Sequence, residues 1–227
     1  MKRKAYILVM SFVCTMTITM AQESTKRVTL VDWDTTSFSL SHRFNSEYMV
    51  PMAAGTVLGL TGSLFAYVEP FHEWSRRLNE EIEYHNLPNL YLDEVLQYLP
   101  AVTPIVLSLC GLQGRHKTSR MLMLGGVSYL FGVGWLDAAK YCFAVRRPDS
   151  MKTNSFPSGH TSLAFTGAEF LRREYEDEYP AIAVVGYIIA GLVGLMRVWH
   201  NRHWTGDVLA GAGLGIVSTS FVYWLLD

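Results

Sequence analysis

Charge is scarce in this chain of 227 residues: Asp, Glu, Lys and Arg make up 17% of it, against about 25% in an ordinary soluble domain. Neither sign dominates, with 19 Lys and Arg facing 20 Asp and Glu. Nucleic-acid binding through net basicity is excluded, and so is a disordered chain kept open by its own charge. Cysteine is scarcer still, at three. Cys14 lies in the apolar N-terminal run, while Cys110 and Cys142 sit within or beside later apolar runs. These form no disulfide framework, and the last two read as buried free thiols. Neither G-x-G-x-x-G nor G-x-x-x-x-G-K-[ST] occurs, so the common nucleotide loops are missing. No internal repeat, low-complexity tract or second domain is visible.

Apolar residues fill the space that charge leaves. They make up 50% of the chain, whose mean hydropathy is +0.16. The chain opens with Lys2, Arg3 and Lys4, followed by an apolar run from Ala5 to Met20, with Thr19 and Ala21 as small residues before a cleavage point. This is the pattern of a secretory signal peptide over residues 1–21. Its removal would take away three positive charges and no negative one, moving the net charge from −1 to −4. Residues 22–48 are polar and hydroxyl-rich and read as an exposed leader, and residues 49–227 as a single membrane domain.

Within that domain, apolar stretches recur at 49–68, 97–113, 120–139, 160–171, 181–199 and 207–226. Several approach the roughly 20 residues that cross a bilayer. No charge interrupts Ala181 to Met196 or Val208 to Leu226, and glycines recur where helices would approach closely, as at Gly55, Gly59 and Gly62 and at Gly211, Gly213 and Gly215. The expected architecture is an all-α membrane bundle of five to six apolar helices. The segment from Gly111 to Arg120 carries Arg115, Lys117 and Arg120 and no acid, which places it in the cytoplasm. The acidic stretch from Glu69 to Glu94 suits the outside. Six full crossings after a cleaved signal would reverse every loop, and an uncleaved anchor gives the same parity. Either the Gly-rich first stretch does not span, the favoured reading, or the signal reading is wrong.

Three clusters lie at the edges of these stretches. Lys140 precedes Arg147-Pro148; Pro157-Ser158-Gly159-His160 opens the fourth apolar run; Arg197, His203 and Asp207 link the last two. Isolated cations at a membrane boundary are commonly snorkelling anchors, the better reading for Arg146, Lys152 or Arg202 alone. Together the clusters read as a phosphate site. Lys140, Arg147 and Arg197 are cationic donors, and the arginines can grip phosphate oxygens in a bidentate way. Ser158 and Gly159 stand where a helix start presents free N–H groups to an anion, and glycine admits close backbone approach. His203 and Asp207 share a helical face at i, i+4 spacing, so the carboxylate can fix one ring nitrogen and free the other as nucleophile. His160, in a different cluster, is then available as general acid. A metal site built on His200, His203 and Asp207 fits poorly among three cations, and His200 receives no role.

The three clusters, in this order and spacing, resemble the signature of the type 2 phosphatidic acid phosphatase superfamily: K-x6-R-P, P-S-G-H and S-R-x5-H-x3-D. One departure is Met196, where the family often has Ser before the arginine. The resemblance implies an all-α fold and cofactor-free, metal-independent hydrolysis of a phosphate ester through a phosphohistidine. His203 would be the nucleophile, Asp207 its orienter and His160 the acid, with Lys140, Arg147, Ser158, Gly159 and Arg197 holding the phosphoryl oxygens. The partner it implies is a phosphorylated lipid in the bilayer of a bacterial inner membrane, with the site facing the periplasm and no nucleic acid or nucleotide cofactor involved. Lipid A is the favoured substrate, beside undecaprenyl diphosphate and phosphatidylglycerophosphate. A soluble periplasmic acid phosphatase, a vanadate-dependent haloperoxidase and a phosphate-lipid binding or transport protein are the competing readings. Head-group contacts are expected from residues 69–96.

Overall fold

The computed structural model describes residues 45–84 and 91–227. The expected signal, 1–21, lies outside them, as does the leader up to residue 44. Eight helices follow one another among the described residues: α1 (Ser46–Tyr67), α2 (Phe71–Tyr84), α3 (Asp93–Leu96), α4 (Leu99–Leu109), α5 (Thr118–Phe143), α6 (Gly159–Tyr175), α7 (Pro180–Trp199) and α8 (Thr205–Leu226). The last residues of the expected leader, 46–48, are the first turn of α1. The expected all-α membrane architecture is what the chain adopts. Four helices, α1, α5, α7 and α8, are long and apolar enough to cross a membrane. Against the expected non-spanning first stretch, α1 has 22 residues at a mean hydropathy of 1.5, a length and composition sufficient to cross, and it packs along α8 in the most extensive helix pairing of the bundle.

Polarity in this bundle runs from inside to outside. Large aliphatic side chains stand on its surface, Leu130 at 77% exposure and Leu195 at 67%, as a lipid-facing wall requires. The centre holds α6 and α8, which bury Thr161, Ser162, Thr166, Glu169, Arg173 and Glu174 on one and Asp207, Ser218, Thr219 and Ser220 on the other. Buried charge is tolerable only when paired and fully hydrogen-bonded. Glu169 accordingly accepts from Arg172, Arg173, the Tyr187 hydroxyl and the Ser220 hydroxyl. Glu174 accepts from Tyr223 and from the His116 amide, and His116 in turn faces Asp227. A cluster of Tyr48, Met52, Met121, Leu124, Phe170, Leu171, Tyr175 and Tyr223 fills the same end of the molecule. Cys110 and Cys142 are free, as expected, but exposed rather than buried. Each lies at a helix end on the outer face.

Glycine sets the depth of the α1–α8 contact. A Cβ on Gly213 would stand 2.9 Å from the Cα of Gly59, and one on Gly206 would stand 2.6 Å from the carbonyl oxygen of Gly62. Gly59 itself points into open space. Gly213→Val should therefore destabilise the detergent-solubilised protein by about 1–3 kcal/mol or more through overpacking. Gly59→Ala should be neutral or stabilising by up to about 1 kcal/mol. Thermal unfolding of the two variants beside the parent checks this, and equal effects would contradict the close contact.

Candidate active site

From α5 to α8 successive helices alternate in direction, so the chain returns repeatedly to one end of the bundle. Lys140 stands in the last turn of α5 and Arg197 in the last turn of α7. Gly159 and His160 begin α6, and Asp207 lies in the first turn of α8. Two connections complete the end. The first, 144–158, folds on itself as the Arg147 amide donates to Lys152 O at 3.0 Å and the Ser155 amide to Val145 O at 2.9 Å. The second runs from His200 to Trp204 and turns at Asn201, whose φ of +53° lies in the left-handed region that Asn tolerates. All eight expected site residues therefore reach one end, although they come from four helices and two loops.

His203 and Asp207 are buried. His203 Nδ1 lies 3.3 Å from Asp207 Oδ2. The same oxygen accepts from the Trp204 amide at 2.9 Å and from the Ser155 hydroxyl at 2.5 Å. Asp207 thus caps the start of α8 while it fixes the imidazole tautomer, leaving Nε2 without its proton and free to attack. Burial, opposed in part by Asp207 and reinforced by Arg147 and Arg197, pushes the His203 imidazole down to about 4. The ring is neutral at physiological pH, as a nitrogen nucleophile must be.

Two of the three cations rest on a neutral partner. Lys140 Nζ donates to Asn154 O at 2.8 Å, and Arg147 Nε donates to the Asn154 side chain at 2.9 Å. Asn154 therefore aligns both. Burial, with Arg197 and Arg202 working against a partial offset from Asp149, holds the Arg147 guanidinium below its ordinary value. Arg197 is buried and paired with Asp93 of α3. Cations gathered under such desolvation form a receptor for a multivalent anion.

Ser158 departs from the expectation of free backbone donors. Its amide is committed to Asp207 O at 2.9 Å and its hydroxyl accepts from Thr161 at 2.9 Å, so only its own hydroxyl proton remains to donate. Gly159 and His160 are the first residues of α6 and keep the unsatisfied amides of a helix start. A Cβ at Gly159 would meet only Leu136 at 3.5 Å, an ordinary contact, so nothing inside the protein demands glycine there. His200 is nearly buried with Nδ1 at 3.3 Å from Asp93, away from His203.

Comparison with known sequences gives one family: the PAP2 superfamily model matches residues 137–227, which contain all three clusters. Over those residues the chain is similar to the PAP2 superfamily. Among its relatives is a protein of Porphyromonas gingivalis named lipid A 1-phosphatase, 37% identical over 137 residues. The match covers 60% of this chain and 31% of that one, so the chain spans about a third of the relative's length. Two crystal structures share the fold. One is the transmembrane PAP2 type phosphatidylglycerolphosphate phosphatase of Bacillus subtilis, with a TM-score of 0.52 at 21% identity, covering 79% of this chain and 95% of that one. The other is LpxE of Aquifex aeolicus, with a TM-score of 0.50 at 23% identity, covering 69% and 98%.

Several residues at this site were not singled out from sequence. Ser155 and Asn154 lie between the first two clusters, where nothing marks a lone Ser or Asn. Asp93 counted only towards an acidic stretch, and Glu94 only as its boundary. Asn79 of α2 donates to Asn201 at 2.7 Å, and Ser75 accepts from the Thr205 amide, which ties α2 across the His203 loop. A signal of a kind existed for the last two: Ser75 and Asn79 are the small polar residues on the inner face of an otherwise charged amphipathic helix.

The neutral state of His203 is directly measurable. In protein labelled with 15N-histidine, the ring signals lost in His203→Asn should retain a neutral, Nδ1-protonated pattern at about pH 5.5, where a free imidazole is mostly charged. An imidazolium pattern at that pH would contradict the site described above.

Proposed function

We propose that the protein hydrolyses a phosphate ester on a membrane lipid through a phosphohistidine, without a metal ion. The observation that carries this reading is the buried His203–Asp207 pair facing Lys140, Arg147 and Arg197 at one end of a membrane bundle. His203 Nε2 attacks phosphorus as the bond to the leaving oxygen breaks, and that oxygen takes a proton from His160. Lys140, Arg147, Arg197, the Ser158 hydroxyl and the amides at Gly159 hold the three remaining oxygens as their charge grows. Water then attacks the phosphohistidine, giving its proton to the now neutral His160, and phosphate leaves as the P–N bond breaks. Positioning and charge stabilisation supply most of the rate in such transfers, which suits a cationic pocket with fixed donors.

The lipid we favour is lipid A, a reading supported by the likeness to the lipid A 1-phosphatase of P. gingivalis. Undecaprenyl diphosphate and phosphatidylglycerophosphate are the alternatives. The four long apolar helices weigh against a soluble acid phosphatase. Residues 49–227 act in this reading as one catalytic unit in the bacterial inner membrane. Purified protein in detergent should release phosphate from lipid A faster than from undecaprenyl diphosphate, phosphatidylglycerophosphate or phosphatidic acid. His203→Ala should abolish release while lipid binding survives. Activity should persist in EDTA and fall with vanadate. Unchanged turnover in the mutant, or a strict divalent requirement, would overturn the mechanism.

We place the site on the periplasmic face, because Arg115, Lys117 and Arg120 lie at the opposite end of the bundle, where a positive loop favours the cytoplasm. The two exposed thiols provide the test. Cys110 ends α4 far from the site, and Cys142 is in the last turn of α5 beside it. In single-cysteine variants of intact spheroplasts, a membrane-impermeant maleimide should label Cys142 and spare Cys110. The reverse pattern would put the site in the cytoplasm, as six crossings after a cleaved signal require.

A further inference from the structure

A general acid has to carry a proton when the substrate arrives, yet the surroundings of His160 work against one. It sits in the first turn of α6, where the helix dipole favours anions over an imidazolium. Burial weighs most against the charged ring, and Arg197 of α7 adds a positive charge beside it. The opposing groups come from the four-residue helix α3. Asp93 is buried and already engaged, one oxygen on Arg197 and the other 3.3 Å from His200 Nδ1. Glu94 is not buried: its side chain is 55% exposed, with Oε2 at 3.2 Å from His160 Nε2 and Oε1 at 3.6 Å from Arg197 Nη1. Its exposure lets it keep a negative charge at little desolvation cost.

The geometry points to Glu94 as a positioning residue that holds the proton on His160, a second carboxylate–histidine pair on the acid side of the site. This inference rests on the phosphatase reading above. The two pairs are mirror arrangements. Asp207 occupies Nδ1 of His203 and leaves Nε2 for phosphorus, whereas Glu94 occupies Nε2 of His160 and leaves Nδ1–H for the leaving oxygen. The proton moves from Nδ1 to that oxygen as the P–O bond breaks, and Nδ1 recovers a proton from the water that attacks the phosphohistidine. Glu94 remains charged throughout.

A cation site is the competing use of these groups, since ligand atoms of Asp93, Glu94 and His160 lie within 4.8 Å of one another. Arg197 Nη1 contacts both carboxylates, however, and a divalent ion would have to displace that guanidinium. The guanidinium already supplies the positive charge such an ion would bring.

Leaving-group dependence separates a proton-holding role from a merely structural one. A phosphate ester of an alcohol needs its leaving oxygen protonated, while p-nitrophenyl phosphate scarcely does. Detergent-purified parent, Glu94→Gln, Glu94→Asp and His203→Ala are compared on phosphatidic acid and on p-nitrophenyl phosphate across pH. Glu94→Gln should lower kcat on phosphatidic acid by about tenfold or more and shift its alkaline limb to lower pH, with a change of about threefold or less on p-nitrophenyl phosphate. Glu94→Asp should recover part of the loss. An equal loss on both substrates with an unmoved limb would overturn the inference. So would a lower KM with unchanged kcat, which would make Glu94 a mere competitor for the phosphate site. Stimulation of the parent, but not of Glu94→Gln, by added Mg2+ would convert the cluster into a cation site. His203→Ala keeps the two readings apart: if it turns over like the parent, the phosphatase mechanism fails, whatever Glu94 does.

Discussion

One buried carboxylate organises the functional end of this protein. Asp207 receives the Trp204 amide, the Ser155 hydroxyl and the His203 ring on a single oxygen, while its own backbone carbonyl receives the Ser158 amide. The start of α8, the loop before it, the 144–158 connection and the start of α6 therefore all meet at this residue. A buried anion needs compensation, and the compensation is what places the His203 ring. Removing Asp207 would cost more than an orienting bond, because the helix cap and two loop attachments would go with it.

The two histidines near that residue meet their charged neighbours differently. At His203, burial and the nearby Arg147 and Arg197 favour the neutral ring. At His160, burial and Arg197 work against a proton, while Glu94 and Asp93 of α3 work for one. The two rings therefore take their partners from different elements. The short helix α3 is small for such a task, but two consecutive acids on it face different ways, Asp93 inward to Arg197 and His200 and Glu94 outward to His160.

The opposite end has its own electrostatic logic. Glu169, Arg173 and Glu174 are buried in α6 between apolar neighbours, each paired or saturated by Tyr and Ser hydroxyls. These side chains also explain why α6 is hard to read from its sequence. A helix with two acids and two arginines in its last two turns looks amphipathic and surface-bound, yet it is the most enclosed of the central pair. In a bundle whose outer face meets lipid, polar groups gather inside, and exposure rules drawn from soluble domains invert.

That inversion divides what could be read in advance from what could not. Apolar run lengths placed the long helices within a few residues, since crossing a bilayer is a constraint local to each segment. The three clusters were equally legible, because the spacing of Lys140 to Arg147 and of Arg197, His203 and Asp207 is fixed by contacts along short stretches of chain. The burial of Cys110 and Cys142 was misjudged because apolarity of a segment does not say which side of it faces lipid. Asp93, Glu94, Asn154 and Ser155 carried no mark of their own, as single polar residues acquire a role only from what folds against them. The sequence by itself determined the apolar helices and the residue types gathered in the three clusters. Only the tertiary structure decided which acids answer which cations, because that pairing joins residues some 60 to 100 positions apart, such as Glu94 with His160 and Asp93 with Arg197.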